Sequence, residues 1–374
     1  MSFPVFDRRR LLLKPLGERG NKVRFPADAV SPHAAPGALP EQAERILAET
    51  VTRIRAARAA GKPVICAFGA HTIKNGLGPV LIKLIRDGWI THLATNGAGI
   101  IHDWELAFQG KTSEDVRANV ARGEFGTWEE TGRYINLALL VGAWKGMGYG
   151  QSVGALIAGS GLDIPSPLLL REQAAEQLKM EPEKAAATAD LLAAVTEFGI
   201  PAGHLDVPHP FSATSLQAAA YAREVPFTGH PMIGCDIIYT HPLNSGAAIG
   251  RTAMRDFLVY AEAVSRLEGG VYLSVGSAVM SPMIFEKSLS MAQNIARQEG
   301  RSISSHFILV VDLAQSSWNW ERDGEPPPDN PAYYLRYCKS FARMGGTMRY
   351  MRADNRDFFL SLLHALEEGD VRSR

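Results

Sequence analysis

The sequence predicts an α/β fold in which a doubly wound, mostly parallel sheet carries helices on both faces, as in Rossmann-like proteins. Two observations predict it. Apolar runs of strand length alternate along the chain with amphipathic runs of helix length. These apolar runs also lack apolar/polar alternation, which is typical of parallel strands that are buried on both faces. We expect one α/β domain at residues 41–374, preceded by an arm at residues 1–40 that contains six prolines.

The individual elements follow this pattern from the end of the arm onward. Each predicted strand runs into a polar or glycine-containing turn, and each predicted helix has apolar residues at helical spacing. The predicted strands lie at residues 62–71, 90–100, 225–234, 270–277 and 306–315. The predicted helices lie at residues 40–60, 75–89, 134–148, 182–198, 253–267, 282–298 and 357–366. In such sheets the functional residues gather at the carboxyl ends of the strands.

Composition excludes several classes of function. Lys plus Arg equals Asp plus Glu at 39 each, so the net charge gives no reason to expect a nucleic acid or an acidic membrane surface as partner. The three cysteines are widely spaced, which excludes a disulfide framework and a cysteine zinc site and suits a reducing compartment. The apolar run at residues 11–13 is too short for a signal peptide or a membrane span. We therefore expect a cytoplasmic protein.

The turn after the second predicted strand is the most informative segment. It reads Thr95-Asn96-Gly97-Ala98-Gly99. Its two glycines let backbone N–H groups approach a ligand, and the start of a following helix would favour an anion such as a pyrophosphate. A tight turn without a ligand explains the same glycines equally well.

Three histidines, His71, His102 and His230, follow predicted strands. Imidazole changes its charge near neutral pH, so each is a candidate acid, base or ligand. The alternative for each is a hydrogen-bonded structural histidine. Because no HxH or HxxxH spacing is present among them, we expect no metal site.

Two further residues have both a functional and a structural interpretation. Asp236 follows a predicted strand, where a carboxylate either binds a cationic substrate or a ribose hydroxyl, or caps a helix. Lys339 lies near tryptophans and tyrosines that flank a proline-rich loop at residues 325–331. Aromatic side chains beside acids can enclose a cation, whereas the alternative is a loop that packs over the body or at a subunit contact, with Lys339 in solvent.

The order of four segments resembles the deoxyhypusine synthase family. The segments lie at residues 66–106, 225–241, 269–289 and 309–317, and the resemblance covers about four-fifths of the chain. It implies an NAD-binding fold, a homodimer or homotetramer with sites between subunits, and a role for Asp236 in binding the polyamine. The positions that it implies for contact with NAD are Ala70, His71, Asn96, Gly97, Ala98, His102, Gly276, Ser277, Leu313, Ala314 and Asp354. Gly99 is a further candidate because it belongs to the turn whose backbone N–H groups can approach the cofactor.

The chain departs from this family at residues that carry its chemistry. His102 replaces a glutamate, Pro231 replaces an aspartate, and Ser281 and Pro282 replace a histidine pair. Lys339 aligns with the family's imine-forming lysine only across a gap. We therefore expect no deoxyhypusine formation on a protein lysine.

The expected reaction is instead an NAD-dependent oxidation of a small amine, either a polyamine or a basic amino acid. The imine so formed would be transferred, hydrolysed or cyclised, as in ornithine cyclodeaminase-like relatives of the fold. Asp236 would hold the ammonium group, His230 or His102 would accept a proton, and Lys339 would form an imine. The alternative is a non-catalytic dinucleotide-binding or scaffold protein whose site has degenerated.

Overall fold

The computed structural model describes residues 3–371. Its strands are β1 (Asn21–Arg24), β2 (Val64–Phe68), β3 (His92–Asn96), β4 (Lys111–Glu114), β5 (Gly161–Ile164), β6 (Gly203–Asp206), β7 (Phe227–His230), β8 (Val271–Val275), β9 (Phe307–Asp312) and β10 (Thr347–Arg352). Its α-helices are α1 (Glu41–Ala59), α2 (His71–Lys74), α3 (Gly78–Arg86), α4 (Gly97–Gln109), α5 (Val116–Arg122), α6 (Glu129–Lys145), α7 (Tyr149–Gly159), α8 (Pro167–Gln177), α9 (Pro182–Glu197), α10 (Leu216–Ala222), α11 (Gly246–Ser265), α12 (Met280–Gln298), α13 (Arg336–Ala342) and α14 (Asn355–Val371).

A parallel sheet of six strands forms the centre of the molecule. Its spatial order is β7-β3-β2-β8-β9-β10. Counted by position in the chain, this order is 3-2-1-4-5-6, which is the order of Rossmann folds. The predicted doubly wound, Rossmann-like fold is therefore confirmed. The order reverses between β2 and β8, so a crevice opens outside the carboxyl ends of these two central strands.

The burial of the central strands explains their sequences. All five residues of β2 and all five of β8 are buried, so neither strand shows apolar/polar alternation. Successive side chains of β2 enter different cores. Cys66 belongs to a core that includes residues of α1, α3, α4, α6, α7 and α14, whereas Ile65 belongs to a core that includes residues of α11, α12 and α13. Both faces of the sheet are thus covered by helices.

The N-terminal arm packs against the body through paired backbone and buried side chains. Strand β1 pairs antiparallel with β4, which directly follows α4. Leu16 and Arg19 of the arm are buried. The arm therefore supplies a charged side chain to the interior near α4, a contribution that its sequence did not indicate.

Some elements differ from the sequence predictions. Gly97, Ala98 and Gly99 form the first turn of α4 and do not extend the preceding strand. Strand β10 was not predicted because it is an edge strand with only two buried residues, which gives it no apolar run. Helices α7 and α8 and the antiparallel pair of β5 and β6 were also missed. Within residues 3–371, no helix is both long and apolar enough to cross a membrane.

Candidate functional site

Two neighbouring clefts lie at the carboxyl edge of the sheet. The first, called the switch-point cleft, has a volume of about 260 Å³ and lies where the strand order reverses. It is lined by His71, Asn75, Gly276, Val311, Asp312, Leu313, Ala353, Asp354 and Asn355. The second, called the α4 cleft, has a volume of about 180 Å³. It is lined by Arg19, Lys74, Ala98, Ile101, His102, Glu105, Ser113, Glu114, Val116, Phe125, Cys235, Asp236 and Ile237.

The single turn of α2 connects the two clefts. His71 at its start lines the switch-point cleft, and Lys74 at its end lines the α4 cleft. The charge of Lys74 contributes to lowering the pKa of His71, after the larger effect of burial. A ligand that lies over α2 would therefore reach both clefts.

At the switch point, the turns at Gly69 and Gly276 lie in close contact. A Cβ on Gly69 would lie 2.1 Å from the carbonyl oxygen of Gly276, so only glycine allows these two turns to touch. Gly276 itself has φ +57°, with no atom within 4 Å of a Cβ built on it, so one side of this turn is open. The predicted residues His71, Gly276, Leu313 and Asp354 do meet in this cleft.

Two carboxylates in this cleft, those of Asp312 and Asp354, lie at or just after the ends of β9 and β10. Asp312 Oδ1 accepts the N–H of Ala314 at 3.0 Å, and Asp354 Oδ1 accepts the N–H of Arg356 at 2.8 Å. The hydrogen bonds formed among residues 3–371 leave the Oδ2 atom of each carboxylate free. Such oxygens can accept hydrogen bonds from ribose hydroxyls.

Asp236 is the central residue of the α4 cleft. Its carboxylate lies over the start of α4, where a Cβ on Gly97 would come within 2.1 Å of Asp236 Oδ2. This oxygen is buried and has no hydrogen-bond partner among the described residues. Burial raises the pKa of Asp236 to about 6, against the opposing effect of the Met232 N–H. Although Asp236 precedes a short 3-10 helix, its side chain makes no capping hydrogen bond, so the helix-cap interpretation is wrong.

Asn96 is the residue that caps α4. Its side-chain oxygen accepts the N–H of Gly99 at 2.9 Å. A Cβ on Gly99 would lie 2.3 Å from Thr95 Oγ1, so this glycine lets the helix start directly against β3. Both predicted glycines thus have a geometric role, and Gly97 in addition makes room for a carboxylate.

A buried ion cluster forms the floor of the α4 cleft. Arg19 donates two hydrogen bonds to Glu105, at 2.8 and 2.6 Å, and both side chains are only 1% exposed. Glu114 lies 3.9 Å from the same guanidinium group and accepts a hydrogen bond from Trp128 Nε1. Burial acts to raise the pKa of Glu105, but Arg19, His102 and Thr112 together outweigh it and hold that pKa below its usual range.

His102 joins this cluster through Thr112. His102 Nδ1 lies 2.7 Å from Thr112 Oγ1, which in turn donates to Glu105 Oε2. Because the single hydroxyl hydrogen of Thr112 is used on Glu105, His102 Nδ1 must carry a hydrogen and donate. The Nε2 atom is then the unprotonated nitrogen. Burial lowers the pKa of His102 to about 4, so the ring is neutral at pH 7.

Lys74 is a cleft residue that the sequence reasoning missed. Burial, together with the nearby charge of Lys22, lowers the pKa of its amine. The α4 cleft contains three carboxylates, those of Glu105, Glu114 and Asp236, against two cations. With the carboxylates ionised, the cleft therefore favours a cationic ligand.

Other predicted residues lie elsewhere. His230 is buried in a network in which its Nε2 lies 3.0 Å from Thr228 Oγ1, and burial lowers the pKa of His230 to about 3. Lys339 Nζ lies 3.4 Å from the ring centroid of Tyr333. Neither residue lines either cleft. Ala70, Ser277 and Ala314 are chain neighbours of His71, Gly276 and Leu313. Within the described part of the chain, no three His, Cys, Asp or Glu side chains are grouped as metal ligands would be.

Comparison with known proteins gives matches among solved structures only. No protein-family model matches the chain, and no curated protein matches it. One similar structure is AgrE, described as a ternary complex with ornithine and NAD+, with 14% identity, a TM-score of 0.43, and 90% of this chain and 34% of that chain covered. A second is ArgZ, an arginine dihydrolase from the ornithine-ammonia cycle in cyanobacteria, with 13% identity, a TM-score of 0.41, and coverage of 87% and 33%.

A third similar structure is a conserved LOR/SDH protein from Methanococcus maripaludis S2. It is 13% identical, with a TM-score of 0.45, and the match covers 91% of this chain and 73% of that chain. The chain spans about a third of the length of AgrE and ArgZ. None of the three is described as a deoxyhypusine synthase. Similarity at this level assigns neither a ligand nor an activity to the chain.

Proposed function

We propose that this protein is an NAD-dependent enzyme that oxidises a small primary amine by hydride transfer. The observation that carries the proposal is the buried, unpartnered oxygen of Asp236 in the α4 cleft. A carboxylate that burial leaves without a partner is costly unless a cation pairs with it. An ammonium group supplies that charge and donates charge-assisted hydrogen bonds.

The switch-point cleft suits a dinucleotide. Gly276 leaves its turn open, Asp312 and Asp354 each offer a free oxygen to ribose hydroxyls, and the cleft lies where Rossmann folds bind their cofactors. NAD would be held there by these residues and His71, and the predicted contacts at Asn96–Gly99 would lie at the α4 end. The cofactor, when bound, supplies a hydride acceptor.

The residues of the chain would bind and deprotonate the amine. Asp236 would hold the ammonium group beside the start of α4. His102 would accept a proton at Nε2 although a pKa of about 4 makes it a weak base, and the resulting imidazolium would be stabilised through Thr112 by Glu105. His102 suits this role better than His230 because only His102 lines the cleft.

The fate of the imine is a further part of the proposal. Hydrolysis, cyclisation and transfer all remain consistent with the α4 cleft. Transfer requires an unprotonated amine, and Lys74, whose pKa is lowered, is better placed than Lys339 because it lines the same cleft as Asp236.

One experiment tests the proposed function. The protein is mixed with NAD and a panel of polyamines and basic amino acids, and both the absorbance of reduced cofactor and the product masses are recorded. We expect at least one substrate to give both signals, and Asp236→Asn to abolish them. Asp206→Asn is the matched control because Asp206 is 87% exposed on β6, and it should retain activity.

A measurement of NAD binding separates the enzyme from the non-catalytic alternative. Binding of NAD is measured by calorimetry and by the shift in unfolding temperature. NAD binding without turnover of any amine would favour a dinucleotide-binding protein with a degenerated site. If the protein neither binds NAD nor turns over any amine, both the enzyme and the dinucleotide-binding protein are excluded.

A further inference from the structure

The chain itself neutralises most of the charged groups that line the α4 cleft. Glu105 accepts four hydrogen bonds from other residues of the chain, two of them from Arg19. Glu114 accepts three, from a side-chain amide, a backbone N–H and an indole N–H. Both carboxylates and the guanidinium group are buried. Because these three groups already have their partners, they offer little to a ligand.

Two charged groups of opposite sign remain in the cleft. Asp236 Oδ2 is buried and has no hydrogen-bond partner among the described residues. Lys74 is half-buried, and within residues 3–371 its amine forms neither an ion pair nor a hydrogen bond. A buried polar atom is almost always paired, and a half-buried cation is stabilised by a charged acceptor. A ligand that satisfies both groups brings a cation to Asp236 and an anion to Lys74.

Helix α4 connects the positions of these two groups. Asp236 lies over its first residue, where a Cβ on Gly97 would come within 2.1 Å of Asp236 Oδ2. Lys74 ends α2, which packs against α4. The cleft that both residues line has a volume of only about 180 Å³. One small molecule in this cleft would therefore contact both groups.

The other walls of the α4 cleft are mostly apolar. Val116 and Phe125 line it and are 51% and 39% exposed. Ala98, Ile101 and Ile237 complete the apolar lining. Such walls suit the methylene groups of a ligand, which lose contact with water when they lie against them.

We propose that the α4 cleft binds the zwitterionic head of an α-amino acid, with the ammonium group on Asp236 and the carboxylate on Lys74, so that amino acids are bound in preference to polyamines. This inference rests on the proposed function and narrows its substrate from small amines to α-amino acids. An α-amino acid carries one cation and one anion on the same carbon atom, and its side chain would lie along the apolar walls.

A polyamine satisfies the charges of the cleft less well. It brings only cations, so its second ammonium group would be repelled by Lys74 and would leave that residue without a partner. Burial and the charge of Lys22 lower the pKa of Lys74, and a bound carboxylate would raise this pKa again because it favours the charged form. In this role Lys74 is charged and forms no imine, so the imine of the substrate would be hydrolysed or cyclised.

The test compares two matched pairs of ligands by calorimetry in the absence of NAD. L-Norleucine and n-pentylamine differ only by the carboxylate, and so do L-lysine and cadaverine. Dissociation constants are measured for the unmodified protein, Lys74→Met, Asp236→Asn and Lys184→Met. Lys184→Met is the matched control because Lys184 is 63% exposed on α9.

We expect the amino acid of each pair to bind the unmodified protein at least about tenfold more tightly than the amine. Lys74→Met should remove this preference by weakening the binding of the amino acids alone, whereas damage to the fold would weaken the binding of both members of a pair. Asp236→Asn should weaken the binding of both members, and Lys184→Met should change neither.

Equal binding of the two members of each pair by the unmodified protein would overturn the inference and leave the proposed function standing. A preference for amino acids that persists in Lys74→Met would do the same. A preference that requires Lys74, without reduction of NAD by any of the four ligands, would support the inference and overturn the proposed function. If none of the four ligands binds, both are overturned.

Discussion

Gly97 shows how the absence of one methyl group positions a charged residue. In a helix, alanine is normally more stable than glycine by about 1 kcal/mol. At Gly97, however, a Cβ would overlap the carboxylate of Asp236. We expect Gly97→Ala to displace this carboxylate and to weaken amine binding by at least about tenfold.

Gly250 provides the matched control for this variant. It lies inside α11, and nothing lies within 4 Å of a Cβ built on it. Gly250→Ala should raise the free energy of unfolding by about 0.5–1 kcal/mol and leave amine binding unchanged. Calorimetry and urea unfolding of both variants check the prediction. Unchanged amine binding in Gly97→Ala would show that the position of Asp236 over α4 does not matter.

The pH dependence of amine binding should report the ionisation of Asp236. Burial raises the pKa of this carboxyl group from 3.8 to about 6, so the anion needed to bind an ammonium group is lost as pH falls through about 6. The cleft residue His102 has a pKa of about 4 and stays neutral over this range. Affinity measured from pH 7.5 to pH 5 should therefore fall in the unmodified protein, and a flat profile would contradict this assignment.

Without a bound amine, ionisation of Asp236 should affect the free energy of unfolding in the opposite direction: stability should rise as pH falls. A carboxyl group whose pKa is raised on folding destabilises the folded state above that pKa, and the penalty disappears as pH falls towards the unfolded value. Asp236→Asn should therefore stabilise the protein at pH 7 more than at pH 4.5. Urea unfolding at the two pH values measures the difference.

Among the elements, the arm places one buried charged side chain in the interior. Arg19 is the cation that Glu105 and Glu114 face in the interior. Arg19→Met would leave two buried carboxylates without it, which should lower the free energy of unfolding by about 3–5 kcal/mol. Arg45→Met is the control because Arg45 and its partner Glu41 are 69% and 84% exposed, and its effect should be within about 0.5 kcal/mol. If Arg19→Met and Arg45→Met change the free energy of unfolding equally, the buried ion cluster does not stabilise the arm.

The sheet shows which elements a sequence can predict. Strands β2 and β8 were predicted because every one of their residues is buried, so their sequences are apolar except for Ser274. Strand β10 lies at the edge of the sheet, and Arg349 and Arg352 interrupt its pattern. Edge strands with charged residues avoid unwanted pairing, but for that reason they resemble loops in a sequence.

The site was predictable only where its residues follow strands. Asp236 and His102 were found because the carboxyl ends of parallel strands meet at one edge. Lys74 was missed because its helix, α2, has a single turn and no periodicity to detect. Arg19 comes from a segment far away in the chain, and only the fold brings it to the α4 cleft. The role predicted for Lys339 depended on an alignment gap, and its contact with Tyr333 gives that role no support.

For the whole molecule, a homodimer or homotetramer is still our prediction. Helices α11 and α12 pack together on one face of the sheet and carry several exposed apolar side chains. They are Met254, Leu258, Met283, Met291 and Ile295, which are between 42% and 59% exposed. Such a surface is typical of interfaces.

Light scattering after size-exclusion chromatography tests this prediction. We expect the mass of two or four chains for the unmodified protein, and a single chain for Leu258→Glu combined with Ile295→Glu. Leu178→Glu is the control, since Leu178 is 67% exposed beyond the end of α8. A monomer at micromolar concentration in the unmodified protein would overturn the prediction.

The reversal of strand order also determines when the sheet can be completed during synthesis. The two central strands pair Val64 with Val271, so the middle of the sheet joins segments about 200 residues apart. Until β8 leaves the ribosome, β2 has one unpaired side that offers free backbone groups to other chains. We therefore expect slow refolding, strong aggregation of fragments that end between β7 and β8, and a need for molecular chaperones while the second half is being made.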